Sequence, residues 1–117
     1  TDMMATLAEI LDSELPEDAG EDSFSIVPAL LGTDPNTPLR EIAFIQGDTK
    51  DNAIAIRSGD WKMIASTSDG KKVHELFDLS QDKAETENLA SQNPEVVQRL
   101  SSALAKARAE GRTRSLP

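Results

Sequence analysis

The apolar positions change period twice along the chain. In residues 2–12, DMMATLAEILD, Met3, Met4, Leu7, Ile10 and Leu11 recur at helical spacing and predict a short amphipathic helix. Asp2 stands where an N-cap is expected. A stripe on so short a helix needs a surface to lie against. Residues 13–23, SELPEDAGEDS, are punctuated by Pro16 and Gly20 and read as a loop. SFSIVPALLG, 23–32, reads as a short helix or turn ended by Gly32, and TDPNTP as a further loop.

From Arg40 the period falls to two. EIAFIQG, NAIAIRS, DWKMIAS and VHELFDL predict four strands, with Ile42 and Phe44, Ile54 and Ile56, and Trp61 and Met63 aligned on one face of each of the first three. In the fourth, Val73, Glu75 and Phe77 share one face, and His74, Leu76 and Asp78 the other. Short polar turns, SDGKK among them, make this an antiparallel meander. Residues 80–92 read as irregular or as a single helical turn. The last element is a long helix: Asn93 as N-cap, Pro94 at its first position, Glu95 in its first turn. Val96, Val97, Leu100, Ala103, Leu104 and Ala107 form its apolar face, Gly111 ends it, and RTRSLP is expected to fray. The predicted class is α+β: a small four-stranded antiparallel sheet with a long C-terminal helix packed on it.

Composition narrows the functional classes. A chain of 117 residues holds one small domain, and at that size folding buries roughly two thirds of the unfolded surface. With one Trp, three Phe and no Tyr, the core has to be aliphatic. The absence of Cys excludes disulfides, thiolate metal sites and a cysteine nucleophile within these residues. No apolar run reaches the roughly 18 residues of a membrane span. The sequence opens on Thr, without a basic-then-apolar leader, which predicts a piece whose own start lies upstream. The net charge of −9 argues against nucleic acid as a partner. Residues 1–39 carry nine acidic side chains and no Lys or Arg, whereas from Arg99 onward there are five basic residues and one acidic one. Either these are two separately solvated surfaces, or the two ends meet each other or oppositely charged partners.

No catalytic set assembles from these residues. His74 is the single His and lies inside a predicted strand, where it reads as a packed or edge side chain. There is no Gly-x-Ser-x-Gly elbow and no Gly-rich phosphate loop. Glu17, Asp18, Glu21 and Asp22 cluster, but without the spacing of an EF-hand calcium loop, and read as a solvated loop. AIRSGDWKMIAS, 55–66, reads as a hairpin corner in which Gly59 takes the turn, Trp61 supplies apolar area, and Asp60 bonds turn backbone or Arg57.

Taken in order, AIRSGDWKMI, HELFDLSQDKAETENLA and NPEVVQRLSSALAKARAEGR resemble the C-terminal end of a type I, formylglycine-dependent sulfatase of the alkaline-phosphatase-like superfamily. Arg57-x-Gly59-x-Trp61-Lys62 matches the family's Arg-x-Gly-x-[Trp/Tyr]-Lys hairpin, and Glu75-Leu76-Phe77-Asp78-Leu79 its following strand. Asp82, Glu85, Asn88 and Leu89 match Asp-x-x-Glu-x-x-Asn-Leu. Residues 2–32 resemble the segment that leaves the catalytic domain, with Ala5 in place of the usual Pro before Thr6. The resemblance runs from Asp2 to about Arg112 and implies two parts. Residues 1–39 form a helical and loop segment from the edge of a large α/β catalytic domain, and residues 40–117 form the C-terminal subdomain that closes one wall of the substrate pocket. It implies a parent that hydrolyses sulfate esters with a formylglycine and a calcium ion, neither held by this chain, which alone is expected to be inactive.

In related sulfatases the loop between the first two strands faces the pocket, sometimes with a His-His-Ser sequence. Here it reads QGDTKDN, without His, and Gln46, Asp48, Thr49 and Lys50 are the candidates for substrate contact. Lys50 offers a point charge to a sulfated or otherwise anionic substrate, while Lys71 and Lys72 read as solvated turn residues. The implied partner is the N-terminal catalytic domain of the same protein; isolated, the chain is expected to self-associate through its first helix. Family resemblance favours a periplasmic or extracellular location. Two other readings remain at this point: a stand-alone, non-catalytic interaction module with this fold, and a small hydrolase working through acidic residues. Neither the substrate nor the oligomeric state is legible.

Overall fold

The computed structural model describes residues 1–47 and 53–114. Among the described residues the elements follow in the order α1 (Met3–Ile10), α2 (Val27–Leu31), β1 (Ala43–Gln46), β2 (Ile54–Ser58), β3 (Trp61–Ser68), β4 (Lys71–Asp78) and α3 (Pro94–Glu110). They form two compact units, one of Thr1–Arg40 with the chain from Lys106 onward, the other of Glu41–Ala105.

In the second unit the strands lie in the order β1-β2-β3-β4, every neighbouring pair antiparallel. Two-residue turns set the register. Ser58 pairs with Trp61 across Gly59-Asp60, where Gly59 alone takes positive φ (59°), as the first position of a type II′ turn requires. Ser68 pairs with Lys71 across Asp69-Gly70, both at positive φ (51° and 74°), the signature of a type I′ turn.

That register lines up Phe44, Ile56, Met63 and Leu76 in one row across all four strands. Ile56, Met63 and Leu76 are fully buried, together with Leu100 of α3; Leu104 closes the cluster. Ile42, Ile54, Trp61, Ala65, Ala90, Val96 and Val97 pack around it. Each fully buried aliphatic side chain contributes about 1.5–3 kcal/mol of transfer free energy, so one helix on one sheet face suffices for a core. Asn93 stands at the start of α3 as expected, and its carbonyl accepts from Val96 and Val97. Its side chain does something else: Nδ2 donates to the Leu89 carbonyl at 3.2 Å. The amide is drawn back to the preceding loop, where the same carbonyl also accepts from the Gln92 and Asn93 amides at 3.0 and 3.1 Å.

In the first unit α1 packs by hydrogen bonds. Thr6, fully buried, donates to the Asp2 carbonyl (2.6 Å) and accepts from the Ile26 amide (3.1 Å). The helix N-terminus is capped from a distance, because buried Ser23 accepts from the Ala5 amide at 2.9 Å. Asp2 is therefore not the side-chain cap expected of it. Its backbone is already helical, and its carboxylate accepts from the Phe24 amide and pairs with Arg40. The Arg40 guanidinium also lies 4.6 Å over the Phe24 ring. The apolar stripe points the other way: Met3, Met4, Leu7, Ile10 and Leu11 are between 49% and 73% exposed. Arg112, Thr113 and Arg114 do not fray; each is hydrogen-bonded to the 16–22 loop. The oppositely charged ends thus meet.

Truncating the central row tests this core. Ile56→Ala should lower the unfolding free energy by about 2–5 kcal/mol in urea titration, with little change in slope. A loss below about 1 kcal/mol would mean that the site collapses without a cavity and the row does not carry the core.

Candidate functional site

The two sheet faces carry different chemistry. Opposite the core, Ala43, Arg57, Lys62 and Phe77 form a row across the strands. Arg57 and Lys62 are direct partners, and like charges at that position repel. Lys62 resolves the conflict by turning to Glu85, whose two carboxylate oxygens accept from its ammonium at 2.6 and 2.7 Å. Arg57 reaches back over its own turn, with Nε 3.5 Å from the Gly59 carbonyl. Asp60 contributes its carbonyl, which accepts from the Leu79 amide at 2.8 Å and ties the hairpin to the end of β4. The corner is a structural joint.

Glu85 belongs to the segment after β4, which carries no regular structure but is heavily hydrogen-bonded. The Asp82 carboxylate accepts from the Thr86 and Glu87 amides (2.6 and 2.9 Å) and from the Thr86 hydroxyl (3.1 Å). Those donors, the Glu87 amide foremost, hold its carboxyl below the usual value of 3.8. Glu85 itself sits at φ 55°, left-handed for a residue with a Cβ, a conformation that costs about 1–3 kcal/mol and persists where surroundings enforce it. Here the loop wound around Asp82 and the Lys62 grip do so.

Asn88 and Leu89 complete the segment. β4 is an edge strand, and Leu76 presents its amide and carbonyl outward there. The Asn88 side-chain oxygen accepts from the Leu76 amide (3.0 Å) and from the Ala90 amide (3.0 Å). The Leu89 amide donates to the Leu76 carbonyl at 2.7 Å. Two exposed backbone groups on an otherwise open edge are thereby satisfied. Asp82, Glu85, Asn88 and Leu89 each have a distinct task in one brace.

The candidate substrate loop begins at Gln46, the exposed last residue of β1. Asp48, Thr49 and Lys50 lie outside the described residues. His74 is half-buried in β4, on the same cross-strand row as Ile54 and Ala65. Lys71 and Lys72 are exposed, as expected of turn lysines. Among the described residues no group of three or more His, Cys, Asp or Glu is placed to hold a metal ion. Among the described residues no helix is long and apolar enough to cross a membrane. Glu17, Asp18, Glu21 and Asp22 do share one loop, but its carbonyls already accept from Arg112 and Arg114.

The brace makes two measurable predictions. Asn88→Ala strands the Leu76 amide and should cost about 1–3 kcal/mol, with faster hydrogen exchange at Leu76; unchanged exchange there would contradict the assignment. The lowered Asp82 carboxyl stabilises the folded loop above its ordinary value of 3.8, and that contribution is lost as pH falls through the lower folded value. The Glu87 amide resonance should therefore titrate with a midpoint below 3.8, and Asp82→Asn should abolish that titration.

No protein-family model matches the chain. It is 38% identical to an N-acetylgalactosamine-6-O-sulfatase of Bacteroides thetaiotaomicron over an alignment of 116 residues, taking in 88% of the chain and 22% of that relative. It is 49% identical over 47 residues, 39% of the chain and 8% of the relative, to an uncharacterized sulfatase of Schizosaccharomyces pombe. A solved structure from glycosaminoglycan metabolism by B. thetaiotaomicron superposes with a TM-score of 0.77 at 37% identity, over 92% of the chain and 24% of that structure. A 2-O glycosaminoglycan sulfatase shares the fold, at a TM-score of 0.66 and 17% identity over 94% of the chain and 24% of that structure. The chain thus spans less than a quarter of the length of these proteins, and in sequence and fold it corresponds to the C-terminal portion of a sulfatase.

Proposed function

We propose that this chain serves a sulfuric ester hydrolase as its C-terminal subdomain, adding stability and one wall of the substrate pocket while performing no bond-breaking itself. The observation that carries the proposal is agreement of sequence and fold over nearly the whole chain, 37% identity across 92% of it at a TM-score of 0.77. The hairpin and brace residues support it by having architectural tasks that leave no acid, base or nucleophile poised. With no Cys and no Ser-x-Pro-x-Arg, the chain has no residue to become a formylglycine. A formylglycine and a calcium ion therefore do not fit these residues and belong to the catalytic domain upstream. Residues 1–39 are the link to that domain and residues 40–117 the subdomain.

The exposed stripe of α1, with Leu30 and Leu31 of α2 65% and 70% exposed, is the surface for that catalytic domain. The relatives supply a long stretch of protein beyond the part matched here. Gln46, Asp48, Thr49 and Lys50, which follow β1 in the sequence, are the substrate contacts of this reading. Identity to an N-acetylgalactosamine-6-O-sulfatase makes a sulfated amino sugar the first substrate class to test.

Two experiments test this reading. Alone, the chain should show no sulfatase activity and should sediment as a self-associating species, whereas Leu7→Glu should give a monomer; hydrolysis of sulfate esters by the isolated chain would overturn the proposal. In the protein with its catalytic domain, Lys50→Ala should raise KM about 10-fold with kcat nearly kept, as loss of a uniform binding contact does. An unchanged KM would remove Lys50 from the pocket.

A further inference from the structure

The chain beyond α3 makes a compact set of long-range hydrogen bonds. Arg114 donates from Nε to the Gly20 carbonyl (3.1 Å) and from Nη2 to the carbonyls of Pro16 (3.1 Å) and Ala19 (3.0 Å). Its backbone amide donates to the Glu21 carbonyl at 2.8 Å. The Thr113 amide and hydroxyl both donate to one Asp22 carboxylate oxygen, at 2.9 and 2.8 Å. Arg112 Nη2 donates to the Glu17 carbonyl at 2.6 Å. These partners are more than 90 residues apart in the chain.

The loop has little else to hold it. Residues 13–23 contain no helix or strand, so their carbonyls lack regular partners, and they carry five carboxylates within eleven residues. Arginine is suited to both problems: its planar fork reaches several carbonyls at once, and its permanent charge offsets the repulsion. The two arginines are unequal. Arg112 leaves Nη1 buried without a partner, whereas Arg114 bonds through Nε, Nη2 and its amide. Arg114 also forms a wall of an open cleft of about 340 Å³ that Ser13, Leu15, Ser23 and Phe24 of the same region help to line.

We propose that Arg112-Thr113-Arg114 is a strap, closed over the 16–22 loop, that controls whether this loop and its cleft are held or released, with Arg114 as the fastener. Removing the C-terminal residues or neutralising Arg114 unfastens the loop without unfolding the sheet. The device makes the conformation of the first 26 residues conditional on the last few, and gives a C-terminal proteolytic cut a defined local consequence.

Hydrogen exchange by mass spectrometry on the full chain, on Arg114→Ala and on a chain ending at Gly111 tests the strap. Amides in 17–24 should exchange at least ~10-fold faster in both variants, as a local opening does, while amides of β2, β3 and β4 keep their protection. Arg112→Ala should release the loop less than Arg114→Ala. Unchanged exchange in 17–24 would overturn the proposal. So would an equal acceleration throughout the sheet, which would mean that the chain as a whole is destabilised.

Discussion

The sheet and the segment after it meet at Leu76. Its side chain is the last member of the buried row under α3. Its backbone amide and carbonyl, pointing off the open edge, are taken by Asn88 and Leu89. One residue therefore joins the hydrophobic core to the polar brace. A defect on either side is felt on the other, because an edge left open exposes polar backbone beside the core, and a core left loose moves the edge. The order of the chain follows: hairpin, edge strand, brace, then the helix that returns over the row.

The same logic gives the corner that looks chemically rich an architectural task. Arg57 and Lys62 face each other across two strands, an unfavourable pairing unless one finds an anion. Glu85 supplies it from the brace, at the cost of a left-handed backbone. The residues that most resemble sulfatase motifs are thus the ones that pair, cap and cover. The apolar stripe of α1 is the complementary sign: an element whose own unit is held by Thr6, Ser23 and Asp2, leaving its hydrophobic side for another surface.

What was legible in the sequence was periodic or geometric. Alternation placed all four strands, and Gly59 and Asp69-Gly70 placed both hairpins, because short turns tolerate few residues. The apolar face of α3 was equally plain. The side-chain tasks of polar residues were not. Asp2 and Asn93 occupy cap positions but bond elsewhere, because partners distant in sequence compete for them. Thr6 and Ser23, buried and satisfied, gave no signal at all. Both faces of β4 carry a buried residue, Leu76 and Phe77, so alternation alone did not select one. The charge asymmetry between the chain's ends did hint that they meet, yet the arginines bond carbonyls of the acidic loop, a pattern that no charge count shows. Of the candidate substrate residues, only Gln46 lies among those described.

Residues 82–90 dock on the sheet as one brace, with Lys62–Glu85 and Leu76–Asn88 as its two fastenings. A double-mutant cycle in urea unfolding between Lys62→Met and Asn88→Ala tests it most directly. A single brace predicts non-additive losses, with an interaction energy above about 0.5 kcal/mol, since either mutation already frees the segment. Losses that add within about 0.3 kcal/mol would mean two independent contacts and would contradict it.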